Sequence, residues 1–237
     1  MTENTPAPAR DNSALYIPAA IVVAGLIIGL SLVLALKPSN GSVGTATGGQ
    51  VAAVDIKDVK IAGDPFIGNA NAKIVLAYWS DYQCPFCKQF ELQTLPEIIK
   101  SYVDTGKVKI VFKDYPFLGE DSITAAEYEH AIWELFPAKY WAWREAMYNA
   151  QDDEGDQGFG DAASIDTLTG KIDGINLAAV KAAVAKNKAA YDSAIDADRA
   201  EGTNFGVQGT PGFITGKTLI PGAVPLAQFK TAIDAQL

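Results

Sequence analysis

The chain has 237 residues, with 28 acidic against 19 basic side chains and a formal charge of −9. So few cations cannot assemble the basic surface that a nucleic acid needs, which excludes that class of partner. Hydrophobic residues make up 49 %, which excludes disorder over the whole length and supplies one domain of about 180 to 200 residues plus appendages.

Residues 1–13 are polar, carry no motif and read as a short cytoplasmic tail. No charged residue occurs from Asn12 to Leu36, and Leu15 to Leu36 gives 22 mostly apolar positions. About 20 such residues span a bilayer core, whereas a cleaved signal peptide has an apolar region of only about 7 to 15. Residues 14–37 are therefore expected to be a retained single-pass anchor that meets lipid through 15–36. Arg10 and Lys37 nearly balance across it, so charge does not orient it. Residues 38–50 are rich in Gly, Ser and Thr and read as a flexible tether to a domain over 51–237.

In that domain Val51 to Lys60 alternates loosely and reads as an edge strand, followed by the turn-rich Gly63-Asp64-Pro65. Lys73 to Trp79 is the first firm strand. It leads into Cys84-Pro85-Phe86-Cys87, which holds the only two cysteines of the chain. Phe86, Phe90, Leu95, Ile98, Ile99 and Tyr102 then recur at helical spacing, with Pro96 expected to kink or split the helix. A bridge that closes so small a loop restricts the unfolded chain very little, so these cysteines are better explained by reactivity than by stabilisation. Cys84 stands where strand turns into helix, where unpaired amide hydrogens and the helix dipole favour a negative sulfur. Cys87, one turn inside, is expected to be the less exposed partner, resolving a mixed disulfide that Cys84 forms. A structural zinc site needs four ligands, and only His130 is left to join the two cysteines. No metal and no added cofactor are expected; the redox group is the Cys84–Cys87 pair itself.

Val108 to Phe112 alternates as a second strand and completes a parallel βαβ unit. From about 120 to 203 helical signals replace strand signals and mark a helical block inserted in an α/β domain. His130 reads as a helix-surface residue. Trp133, Trp141 and Trp143 read as packing of the block, with an apolar groove for unfolded chains as the alternative. Asp152-Asp153-Glu154-Gly155-Asp156 lacks a full calcium loop and reads as a solvated turn. Phe213 to Thr215 and Thr218 to Ile220 form a hairpin around Gly216-Lys217, and Leu226 to Gln236 closes the chain as a helix.

Taken in order, Trp79 to Cys87, Tyr140-Trp141 and the Gly209-Thr210-Pro211 element before Phe213 resemble the DsbA-like thiol-disulfide oxidoreductases from about Asp64 to the C-terminus. The resemblance implies a thioredoxin-like fold with a helical insertion, catalysis by Cys84 and Cys87, and support from Pro85, Phe86 and Asp81. It implies a cis Pro211 facing the disulfide and a Thr210 backbone that, with Pro211, receives an extended substrate. It further implies reduced or unfolded extracytoplasmic proteins as substrates and a reoxidation partner in the membrane of the DsbB or VKOR type. Disulfides persist outside the cytosol, so the domain is expected on the extracytoplasmic side of the cell membrane. Well-known members carry histidine where this chain has Phe86, so Cys84 is expected to be less acidic and the disulfide less oxidising. Ala77 is expected at the place where relatives bear a buried acid. Asp81 is read as a helix cap, with acceptance of the Cys87 proton as its alternative role. Disulfide donation, reduction or isomerisation, and a purely binding role are all compatible with these residues.

Overall fold

The computed structural model describes residues 54–152 and 158–237. The tail, anchor and tether lie outside the described residues, as does most of the acidic run after Asp152. Among the described residues no helix is long and apolar enough to cross a membrane.

Five strands form one sheet: β1 (Phe66–Ile67), β2 (Ile74–Ser80), β3 (Val108–Asp114), β4 (Gly212–Thr215) and β5 (Thr218–Pro221), in the order β1-β3-β2-β4-β5. β2 and β3 run parallel, with Ile74 opposite Val108 and Ser80 opposite Asp114, and the other pairings are antiparallel. β2 is central and nearly all of it is buried, which is why it reads as a continuous apolar run. Its side chains still alternate. Leu76 and Tyr78 face the large core with Ile110, Phe112 and Phe213, while Ala77 and Trp79 face a smaller core with Val59, Val207 and Ile214.

The path from β2 to β3 is helical over 85–103. α1 (Pro85–Gln89) and α2 (Leu95–Ile98) alternate with wider π-helical turns at Phe90–Thr94 and Ile99–Val103. Pro96, which has no N–H to give, falls at the start of α2 directly after the first wide turn, so the expected break takes the form of a change in hydrogen-bond register. The insertion contains α3 (Glu120–Leu135), α4 (Tyr140–Ala150), α5 (Ala162–Thr169) and α6 (Leu177–Asn204), and α7 (Leu226–Asp234) closes the chain. α6 crosses behind the sheet, where its Asp198 carbonyl accepts from Trp79 Nε1 at 3.0 Å.

The edge strand expected over 51–60 is not formed by its described part. Ile56–Asp58 is a 3₁₀ turn capped by Asp55, and Ile56 N donates to Gly216 O at 2.7 Å. An Asp side chain that bonds its own backbone, as Asp55 Oδ1 does with Lys57 N, competes with strand pairing. The edge is supplied by β1. α5 was not foreseen; it is short, is capped by Asp161 and buries only Ile165 and Thr169.

Candidate active site

The turn after β2 is built by Asp81. Its Oδ1 accepts from Gln83 N at 2.8 Å, and its Oδ2 accepts from Phe117 N at 2.9 Å and Leu118 N at 3.2 Å. This carboxylate thus ties the cysteine turn to the loop before α3. It does not cap α1: the cap position is Cys84, which offers no side-chain cap bond, and Pro85 begins the helix. A proline fits there because the first helical N–H has no partner to lose. Asp81 meets Cys87 through its main-chain N–H, and burial pushes its carboxyl upward against those amide bonds.

Both cysteines are free thiols with little exposure, 3 % for Cys84 and 0 % for Cys87. The Cys84 thiol is drawn down to about 6, first by the hydrogen bond of Cys87 to its sulfur, with burial opposing, then by Thr210 and the amides of Cys87 and Phe86. Cys87 moves far the other way, chiefly through burial and next through its bond to Cys84. At neutral pH the pair therefore holds one thiolate and one thiol, which is the division that thiol-disulfide exchange needs. A value of about 6 agrees with a cysteine less acidic than the about 3.5 of DsbA.

Thr210-Pro211 is cis, and Cys84 Sγ lies 3.3 Å from Thr210 O. The residues from the two distant motifs therefore meet at one sulfur. Phe86 is 61 % exposed beside them, and Phe117, held by Asp81, is 46 % exposed. Ala77, expected at the buried-acid position, faces the smaller core instead. The strand alternation puts Tyr78 in the core shared with Cys87, and a phenol stands there in place of an acid.

Sequence reasoning missed the supports from the insertion. Gln151 Nε2 donates to Tyr82 O at 2.6 Å and Cys84 O at 3.1 Å, while Gln83 Nε2 donates to Phe159 O at 2.9 Å. Arg144, wholly buried, donates to Glu91, Glu129, Ser80 and Tyr82. A lone arginine in an aromatic helical stretch carries no such signal; only its position on the face with Tyr140, Trp143 and Met147 hints at burial. His130 is not a free surface residue. Its Nε2 pairs with Asp114 Oδ2 at 2.8 Å and its ring stacks on Tyr191 at 5.3 Å, and the nearby carboxylate Asp114 overcomes burial to lift it to about 9. Trp143 is buried, with Nε1 donating to Thr169 Oγ1 at 2.9 Å, and Trp133 Nε1 donates to Gly63 O at 2.9 Å. These tryptophans pack the insertion.

With the cysteine turn, the cis proline and the sheet order in place, comparison with known proteins is decisive: a thioredoxin family model matches residues 60–235. The chain belongs to the thioredoxin family. It is 26 % identical over 172 residues to the "probable disulfide bond formation protein D" of Bacillus anthracis, covering 72 % of this chain and 77 % of the relative. Among solved thioredoxin-like structures, oxidised BdbD of Bacillus subtilis superposes with a TM-score of 0.68 at 25 % identity, over 75 % of this chain and 94 % of that one. The thiol-disulfide exchange protein α-DsbA2 of Wolbachia pipientis gives 0.65 at 27 %, over 74 % and 88 %. This thioredoxin-family chain is a thiol-disulfide oxidoreductase of the DsbA kind, and its redox group is its own cysteine pair.

Proposed function

We propose that this chain is a membrane-tethered extracytoplasmic enzyme that donates disulfides to reduced proteins outside the cytosol. The observation that carries the redox reading is the split between the two sulfurs, with Cys84 held near 6 as the leaving thiolate and Cys87 pushed far up. A substrate thiolate attacks Cys84 Sγ of the disulfide, the bond to Cys87 breaks, and Cys87 leaves with the electron pair and takes up a proton. A second substrate thiolate then attacks the substrate sulfur of the mixed disulfide and Cys84 departs as a thiolate. The substrate gains a disulfide and the cysteine pair ends reduced. A low-pKa thiolate leaves readily and stabilises the reduced enzyme, so the transfer runs toward the substrate. Thr210 and Pro211 offer an extended segment its place beside Cys84.

The uncharged run 15–36 supports a bilayer anchor. Continuous use would need a quinone-linked membrane partner of the DsbB or VKOR type to restore the disulfide. The test is the reduction potential of the Cys84–Cys87 pair in glutathione buffers. A value of about −120 to −180 mV supports disulfide donation, and one near about −270 mV or below makes the enzyme a reductase and sinks the proposal.

A further inference from the structure

The most heavily bonded side chain near the cysteines belongs to neither motif. Arg144 comes from α4 of the insertion, is wholly buried, and lies among the rings of Tyr78, Tyr82, Phe112 and Tyr148, with Cζ 4.1 Å from the Phe112 centroid. Its Nε and NH2 donate to Glu91 Oε1 at 2.9 and 2.6 Å, NH2 also to Ser80 Oγ at 2.9 Å, and NH1 to Glu129 Oε1 at 2.9 Å and Tyr82 OH at 3.1 Å. One guanidinium thereby holds the cysteine helix by Glu91, the end of β2 by Ser80 and the cysteine turn by Tyr82.

Glu91 is the sensitive partner. It follows Cys87 by four residues in the same helical stretch, one turn on, and its carboxylate is turned to Arg144. It is 3 % exposed, and burial pushes its carboxyl up against the opposing pull of Arg144 and of the Tyr78 hydroxyl. An uncompensated carboxylate there would oppose a thiolate at either sulfur.

We propose that Arg144 is a positioning residue of the redox site, fixing the cysteine helix, strand end and turn in one geometry and neutralising Glu91, the carboxylate one turn beyond Cys87. Lysine could supply the charge but not the planar fork that reaches Glu91, Ser80 and Tyr82 together. The inference rests on the redox reading of the cysteine pair and not on the direction of electron flow.

The experiment is titration of the Cys84 thiolate by its ultraviolet absorbance in the reduced full-length chain, against a Cys84→Ser blank and with urea midpoints measured in parallel. Arg144→Lys should titrate upward, with the thiolate fraction at a fixed pH well below the midpoint falling roughly tenfold. Glu91→Gln leaves Arg144 its bonds to Ser80, Tyr82 and Glu129 and removes one of the two carboxylates beside it, so the buried cluster loses a negative charge and Cys84 should titrate downward. A purely structural Arg144 would move the urea midpoints and leave both titrations alone. A folded Arg144→Lys that titrates like the parent overturns the proposal, as does a Glu91→Gln that is unchanged or shifts upward. If Arg144→Lys does not fold, Glu91→Gln decides alone. Failure of the disulfide-donor reading would show in the glutathione equilibrium and leave these shifts intact.

Discussion

At Cys84 the chemistry of the site becomes a stability. The folded thiol at about 6 lies below its ordinary value near 9. Its ionisation therefore favours the folded reduced chain above the unfolded value, and that stability is lost as pH falls toward 6. The oxidised chain has no such group. Between pH 6 and about 8.5 the reduced form should gain on the oxidised form by up to about 3 kcal/mol. Paired urea titrations of the two forms would measure this, and a gap that does not change with pH would refute it; Cys84→Ser should lose this gain and keep only the pH dependence that the oxidised form also shows. Cys84 and Cys87 were legible because spacing and strand-turn-helix context are local signals. Tyr78 was not. Deciding whether residue 77 or 78 faces the cysteines takes the register of a strand buried on both sides, where apolar alternation no longer marks the faces. Asp81 was found as a residue and misread as a bond, because its partners Phe117 and Leu118 arrive from 36 and 37 positions away.

Between elements, α6 is held to the sheet by contact rather than by pattern. Gly202 lies against the Trp79 indole, where an added Cβ would come within 2.8 Å of Nε1. Trp79 is fully buried and its N–H is engaged by Asp198 O, so the ring has no free direction in which to yield. Gly202→Ala should destabilise the fold by about 1–3 kcal/mol, despite the better helix propensity of alanine. An unchanged urea midpoint would show that α6 can shift at no cost. Beside this contact Lys113, buried, pairs with Asp64, Asp198 and Glu201. Lys113 lies just past the strand that the sequence marks over Val108 to Phe112. One carboxylate, Asp64, comes from the loop before β1, and the return of α6 some 85 residues later supplies Asp198 and Glu201; no local periodicity encodes that. The parallel pair β2–β3 and the hairpin around Gly216 were legible because the βαβ unit and the turn residues are short-range.

For the whole molecule, the sequence predicts two regions with different solvents. Residues 15–36 should keep the chain with the membrane fraction, released by detergent and not by high salt. Recovery in the soluble fraction of intact, uncleaved chain would remove the anchor. The helical block was legible as composition, but its use was not. Gln151 reaches from the end of α4 to the carbonyls of Tyr82 and Cys84, and Gln83 reaches back to Phe159. Two amides thus stitch the loop between α4 and α5 to the backbone of the cysteine turn. A change at Gln151 or at Phe159 would therefore act on the peptide groups that carry Cys84, so the insertion shares in placing the sulfur while Cys84-Pro85-Phe86-Cys87 stays as it stands.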